Sequence, residues 1–132
     1  MVRTFGLTHV ALSVRDVDRS VEFYREVVGA VEVYRGEGFA QIQTPGARDA
    51  IVLEENASKA GVAGGIIHFG FRLADPGDIG AAVAAVERAG GTVLKTGEFC
   101  PGEPYVFFRD PDGYEVEIWH ELPTPVDPKI SD

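Results

Sequence analysis

Gly6-Leu7-Thr8-His9-Val10-Ala11-Leu12-Ser13-Val14 and Gly65-Ile66-Ile67-His68-Phe69-Gly70-Phe71-Arg72-Leu73 are two versions of one stretch, offset by 59 positions. The offset lays Gly6 on Gly65, His9 on His68 and, just beyond, Asp16 on Asp75, while the apolar positions keep step. Two copies of roughly 55 to 60 residues are too few for a solenoid, which needs about three repeats to bury a continuous core, so the repeat reads as a duplicated supersecondary unit. Within the first copy, alternation sets Val10, Leu12 and Val14 on one strand face and His9, Ala11 and Ser13 on the other. That is the pattern of a half-buried strand.

The rest of each copy continues with a helix and three strands. Val17, Val21, Tyr24 and Val28 recur at helical spacing, with Asp16 or Asp18 as cap and Gly29 as stop. Ile79, Val83 and Val86 repeat the spacing after Asp75-Pro76, a cap followed by a first-turn proline, and Gly90-Gly91 ends the second helix. Strand-like runs cover 31–34, 39–44 and 50–55, then 92–96, 105–109 and 114–121. Residues 56–64, rich in Ala and Gly, read as a linker, and the proline-bearing tail after 122 reads as extended or disordered. The expected fold is α+β: two tandem βαβββ modules, about 5–55 and about 64–121, forming curved mixed sheets with helices on the convex side. With the tail at 122–132 they make one domain spanning 1–132.

A chain of 132 residues buries roughly two-thirds of its unfolded surface, so no metal or disulfide is needed merely to hold a core. No apolar run approaches the roughly 18 residues of a membrane span, and neither a membrane helix nor an export signal is expected. The single Cys100 then points to a reducing compartment, the cytoplasm by default. A net charge of -9 with 12 scattered Lys and Arg counts against nucleic acid as a partner, because phosphate binding needs a basic stripe. It does not exclude a small anionic substrate.

Strand parity also selects a set of polar residues. His9 lies opposite Val10, His68 lies opposite Phe69 and Phe71, and Glu117 shares a face with Glu115 and Trp119 while Val116 and Ile118 face the helices. Two imidazoles and a carboxylate on the helix-free side match the facial set that holds Fe(II), Mn(II) or related ions and leaves positions open for substrate. Ala11 and Gly70, two residues past each histidine, leave room there. A lone strand histidine is usually a hydrogen-bonded structural residue and a lone strand glutamate is usually solvated. Two histidines at repeat-equivalent positions shift that balance toward metal. Asp110 and Asp112 read as turn-formers, since Asp-Pro-Asp-Gly suits any type I turn.

The duplicated unit, the paired histidines and the segment Phe108-Arg109-Asp110-Pro111-Asp112-Gly113-Tyr114-Glu115-Val116-Glu117 together resemble the vicinal oxygen chelate superfamily. That superfamily contains glyoxalase I, extradiol dioxygenases, fosfomycin resistance transferases and bleomycin resistance proteins. The resemblance covers about residues 5–121, and its most specific motif is the Asp-Pro-Asp-Gly turn with Glu117 four residues after Gly113. It implies a divalent ion on His9, His68 and Glu117, Fe2+ being favoured over Mn2+, Zn2+ or Ni2+, that chelates two neighbouring oxygens of a small substrate. It further implies a homodimer with shared sites, His9 coming from one chain and His68 with Glu117 from the other.

Departures from the family pattern bear on the reaction. Glyoxalase I-like members carry a fourth ligand in the last strand of the first copy, and pairing 50–53 with 114–117 puts Leu53 there. Glu55, one pleat later, reads as a solvated strand end. Three ligands suit dioxygenase-like and fosfomycin-transferase-like members better. The tyrosine expected in extradiol enzymes is Phe107 here, with Tyr105 as the candidate substitute, and His120 sits on the wrong pleat. Ala11 and the loop Cys100-Pro101-Gly102-Glu103-Pro104 depart from the fosfomycin enzymes.

Arg72 is a candidate for neutralising a carboxylate or enolate. Phe39, Tyr105, Phe107, Tyr114 and Trp119 are candidate linings for an aromatic or apolar ligand, or else core residues. Cys100 has no visible base beside it and reads as packing. The expected function is a metal-dependent enzyme of extradiol dioxygenase type. The alternatives are a glyoxalase-like isomerase or lyase acting through a metal enolate, and a non-catalytic drug-binding protein.

Overall fold

The computed structural model describes residues 1–128, so the end of the tail, 129–132, lies outside the described residues. Module one runs β1 (Val10–Val14), α1 (Val17–Val28), β2 (Val31–Gly36), β3 (Phe39–Gln43) and β4 (Ile51–Glu55). Module two runs β5 (Phe69–Arg72), a 3-10 turn (Pro76–Asp78) leading into α2 (Ile79–Arg88), then β6 (Thr92–Glu98), β7 (Pro104–Arg109) and β8 (Glu115–Trp119). The strand orders are β1-β4-β3-β2 and β5-β8-β7-β6. In each sheet the first pair is parallel and the others antiparallel. The architecture is the expected α+β duplication of a βαβββ unit.

Local chemistry explains the boundaries. Asp16 is extended and its carboxylate accepts from Arg19 N at 3.0 Å, capping α1. Gly29 ends that helix at φ +71, a left-handed conformation that glycine adopts without a Cβ penalty. In module two Asp75 accepts from Gly77 N at 2.8 Å, and Pro76 begins the turn into α2.

Both helices cover the same side of the molecule, and there the two modules share one core. Val14, Phe23, Tyr24, Ile42 and Leu53 from module one meet Val86, Val106, Phe108, Val116 and Ile118 from module two. The opposite faces of the sheets carry no helix.

β1 and β5 are the edge strands that face each other across the module seam, and they run in opposite directions. At one end the Tyr114 hydroxyl donates to Ser13 O at 2.8 Å. There a groove of about 340 Å³ brings Val10 to Ser13 against His68, Phe69 and Glu115. At the other end His9 lines a groove of about 640 Å³ with Gly70, Arg72 and Leu73.

The Ser13 end is clamped by the Asp-Pro-Asp-Gly turn. The Asp112 carboxylate, whose side chain is 0% exposed, accepts from Arg15 N (3.0 Å), Arg15 Nη1 (3.2 Å), Arg19 Nη2 (3.1 Å) and Ser20 Oγ (3.3 Å). Asp110 shapes the turn by accepting from Asp112 N and Tyr114 N, and takes the Tyr24 hydroxyl at 2.7 Å. The two carboxylates therefore form the turn, as expected, and also bolt module two onto α1. The linker is held close as well, because a Cβ on Gly61 would lie 2.3 Å from Asp112 O.

The tail departs from the extended or disordered reading. Asp127 accepts from Thr124 N and Thr124 Oγ1, closing a turn, and lies 3.5 Å from Arg72. Among the described residues no helix is long and apolar enough to cross a membrane.

Candidate metal centre

His68 immediately precedes β5, and the parallel register sets Gly70 beside Glu117 in β8 and Glu117 beside Phe107 in β7. All three face away from the helices. Glu117 is 7% exposed, and no side-chain hydrogen bond among the described residues reaches its carboxylate. His68 Nε2 lies 4.0 Å from Glu117 Oε1. Burial pushes the Glu117 carboxyl above its usual range, with His68 pulling the other way. A buried carboxylate beside an imidazole and without a donor of its own is a donor set suited to a cation.

Gly70 makes the arrangement possible. A Cβ there would sit 3.1 Å from Glu117 O, 3.4 Å from its Cβ and 3.6 Å from Oε1. The Phe107 ring meets His68 edge-on at 5.1 Å and 84°, which fixes the plane of the imidazole.

An aromatic wall continues from Phe107. Tyr105 lies 5.4 Å from Phe107, Phe99 stacks on Tyr105 at 4.3 Å, and Phe99 meets Trp119 edge-on at 5.4 Å. Phe99 was not among the residues singled out from the sequence. Its signal was parity alone, since it continues the face of Gly97 one pleat beyond β6. The Tyr105 hydroxyl rests over Gly97, where a Cβ would approach it to 2.7 Å. It therefore points toward β6, away from His68, and Tyr105 belongs to the wall instead of standing within proton-transfer reach of the pair.

The other candidates have partners of their own. Tyr114 is 7% exposed and its hydroxyl donates to Ser13 O, so it joins the modules while its ring lines the groove beside His68 and Glu115. Arg72 pairs with Glu121 and Asp127, which compensate its charge. Phe39 packs on Tyr34 in sheet one, the sheet whose first strand follows His9. His120 turns its ring to Leu73 O at 2.9 Å.

The fourth-ligand position requires a correction of register. Ala11 pairs with Val52 as Gly70 pairs with Glu117, so the residue equivalent to Glu117 is Val52. Leu53 is 0% exposed in the core, and Glu55, beside Val14, follows the same parity. Glu54, beside Ser13, is the acid on the helix-free face. The inference that module one supplies no second carboxylate at that position is unchanged, but the residue responsible is valine.

His9 does not join His68 and Glu117 within one chain. It stands at the Arg72 end of the seam and His68 at the Ser13 end. Four residues of strand separate those ends, on the order of 13 Å. Among the described residues no three His, Cys, Asp or Glu side chains are grouped to hold a metal ion.

This geometry defines a class: proteins built from a duplicated βαβββ unit that carry a histidine just before the first strand of each module and leave one face of each sheet free of helices. Residues 6–118 match the Glyoxalase/Bleomycin resistance protein/Dioxygenase superfamily, and the chain belongs to it. Catechol-2,3-dioxygenase of Bacillus subtilis (strain 168) is 28% identical over 123 residues, covering 88% of this chain; the match spans 42% of that protein's length. Metallothiol transferase FosB of Staphylococcus epidermidis is 24% identical over 86% of this chain and 81% of its own. A mutant of the fosfomycin resistance protein FosX from Listeria monocytogenes, solved with Mn(II) and 1S,2S-dihydroxypropylphosphonic acid, shares the fold at TM-score 0.73 and 18% identity, over 88% of this chain and 90% of its own.

Proposed function

We propose that the protein is a divalent-metal enzyme in which His68 and Glu117 of one protomer and His9 of a second copy hold one ion. Its substrate is an aromatic or largely apolar molecule that presents two neighbouring oxygens, and the chemistry is of extradiol dioxygenase type. The observation that carries this reading is the His68 and Glu117 pair at the foot of an aromatic wall, with His9 displaced to the far end of the seam. When bound, the ion supplies Lewis-acid polarisation of the two substrate oxygens, with Fe2+ the favoured metal.

The chain's own residues do the rest. Phe107, Tyr105, Phe99 and Trp119 offer edges and faces to a planar ring and exclude water from one side of it. Burial of Glu117, whose side chain is 9% exposed, limits the access of solvent to its carboxylate. Arg72 is paired with Glu121 and Asp127 and would have to leave these carboxylates to meet a phosphonate, which favours an uncharged ring over the ligand seen with FosX. Val52 supports three protein ligands over four, the pattern that separates this chain from the glyoxalase-like alternative.

The pairing of copies rests on the opposed seam ends and on apolar residues flanking each histidine. Leu7 is 93% exposed and Ile67 80% exposed, surface that a second copy would cover. The experiment mixes His9→Ala with Glu117→Ala subunits. Each variant alone should bind no stoichiometric metal while its circular dichroism stays native, and the confirmed heterodimer should regain one site per dimer. Heterodimers that recover none would refute the shared arrangement, and single variants with wild-type metal content would refute the triad.

A further inference from the structure

We propose that Glu115 is the positioning carboxylate of this centre: it takes the Nδ1–H of His68 and thereby presents Nε2 to the ion beside Glu117. The inference rests on the metal reading above and extends it to a residue outside the triad.

Strand parity brings Glu115 to the same face as Glu117, and the parallel register that sets Gly70 against Glu117 brings Glu115 alongside His68. The two ring nitrogens face different carboxylates. Nδ1 lies 3.8 Å from Glu115 Oε2, and Nε2 lies 4.0 Å from Glu117 Oε1. Phe107 holds the ring plane, so a shift of about 1 Å in the Glu115 side chain is enough to reach hydrogen-bond distance. Exposure divides the labour. The Glu117 side chain is 9% exposed, whereas that of Glu115 is 31% exposed, so Glu117 sits deeper in the face and Glu115 nearer its rim.

The obvious competing partner is committed elsewhere. Arg109 stands directly across from Glu115 on β7, but its Nη1 donates to Gly113 O at 3.1 Å. Module one repeats the logic with different chemistry. The residue equivalent to Glu115 there is Ala50, and His9 instead engages Nδ1 with Thr8 Oγ1 at 2.5 Å. In both modules a protein oxygen stands beside Nδ1, at 3.8 Å for His68 and 2.5 Å for His9, and Nε2 is the nitrogen left for the ion. A carboxylate on the outer nitrogen fixes the tautomer and raises the basicity of the ligating one, and loss of such a partner typically weakens metal binding by about 10 to 100-fold.

The experiment uses the full chain with Mn2+ as the probe, its Kd read by competition with a chelator. The His68 tautomer is read separately in metal-free protein by nitrogen NMR. Glu115→Ala should weaken Mn2+ binding by at least about 10-fold and shift His68 away from the Nδ1–H form. Glu115→Gln, whose amide oxygen can still accept that proton, should restore most of both. Unchanged affinity in Glu115→Ala, alongside loss of binding in Glu117→Ala, overturns the positioning role and leaves the metal reading standing. Complete loss in both Glu115→Ala and Glu115→Gln makes Glu115 a ligand and overturns the proposal in the other direction. Wild-type protein that binds no Mn2+ and shows no Nδ1–H preference at His68 removes both readings together.

Discussion

Replacing Asp112 with alanine should cost this protein about 3 kcal/mol of stability, although the residue makes no contact with the candidate metal pair. Ser20 is 0% exposed, and its hydroxyl would lose Asp112 as partner, as would the Arg15 N–H. A buried donor left unsatisfied costs about 1 to 3 kcal/mol, so the Ser20 hydroxyl contributes about 1.5 kcal/mol and the part-buried Arg15 N–H, which water can reach, about 0.5 to 1 kcal/mol. The arginine side chains are 50% and 43% exposed, so each ion pair adds only about 0.5 kcal/mol after screening by solvent. For a chain of this size 1 kcal/mol moves the melting temperature by about 4 °C, which predicts a fall of about 12 °C for Asp112→Ala. Asp112→Asn, which keeps a carbonyl acceptor for Arg15 N, should lose about half as much. Thermal unfolding followed by circular dichroism measures both. A fall smaller than about 3 °C for the alanine variant, or equal falls for the two variants, would refute the argument that backbone and hydroxyl donors carry the clamp.

Gly70→Ala places a Cβ 3.1 Å from Glu117 O and 3.4 Å from its Cβ. The variant should fold with a stability loss of about 1 to 3 kcal/mol from crowding and bind Mn2+ more weakly than wild type. Wild-type affinity by chelator competition would show that Glu117 does not depend on this gap. The Asp110 carboxyl is raised above its ordinary value, chiefly by burial, with the hydrogen bond from Tyr24 acting against the shift. A folded value above the unfolded one means that its stabilising contribution is fully present below the unfolded carboxylate range and is lost as pH rises through the folded value. Wild type should therefore gain stability over Asp110→Asn as pH falls through the carboxylate range. Parallel melting curves for the two proteins from pH 4 to 8 would contradict the assignment.

What could be seen in the sequence was what local chemistry and parity control. Asp16 and Gly29 bound α1 as their cap chemistry requires, and the His9 and His68 repeat located both edge strands. Register across strands was less visible. Matching 50–53 to 114–117 by sequence alone sits one residue out of register, and because side chains alternate with period two, that offset exchanges Val52 on the open face for Leu53 in the core. Asp112 shows only its turn role in the sequence, and Tyr114 only its place on a lining face, because their partners Arg15 and Ser13 lie about a hundred positions away, beyond the reach of any spacing rule. Tyr105 was chosen by its face alone. Only the absence of a Cβ at Gly97 reveals which way its hydroxyl leans.

The pairing of Ala11 with Val52 has an evolutionary reading. Module two keeps a histidine and an acid, whereas module one keeps the histidine and an aliphatic side chain at the homologous position. A valine codon ending in A or G becomes a glutamate codon by one base change, which would set a second acid opposite Ala11. Such a change would fall on a half-buried strand residue that bears little on the shared core or the Asp112 clamp. A lineage built this way can exchange reaction types by editing the plain half of its duplication while the chemical half stays fixed. One scaffold could in that way have come to serve lyases, transferases and dioxygenases without redesigning its fold.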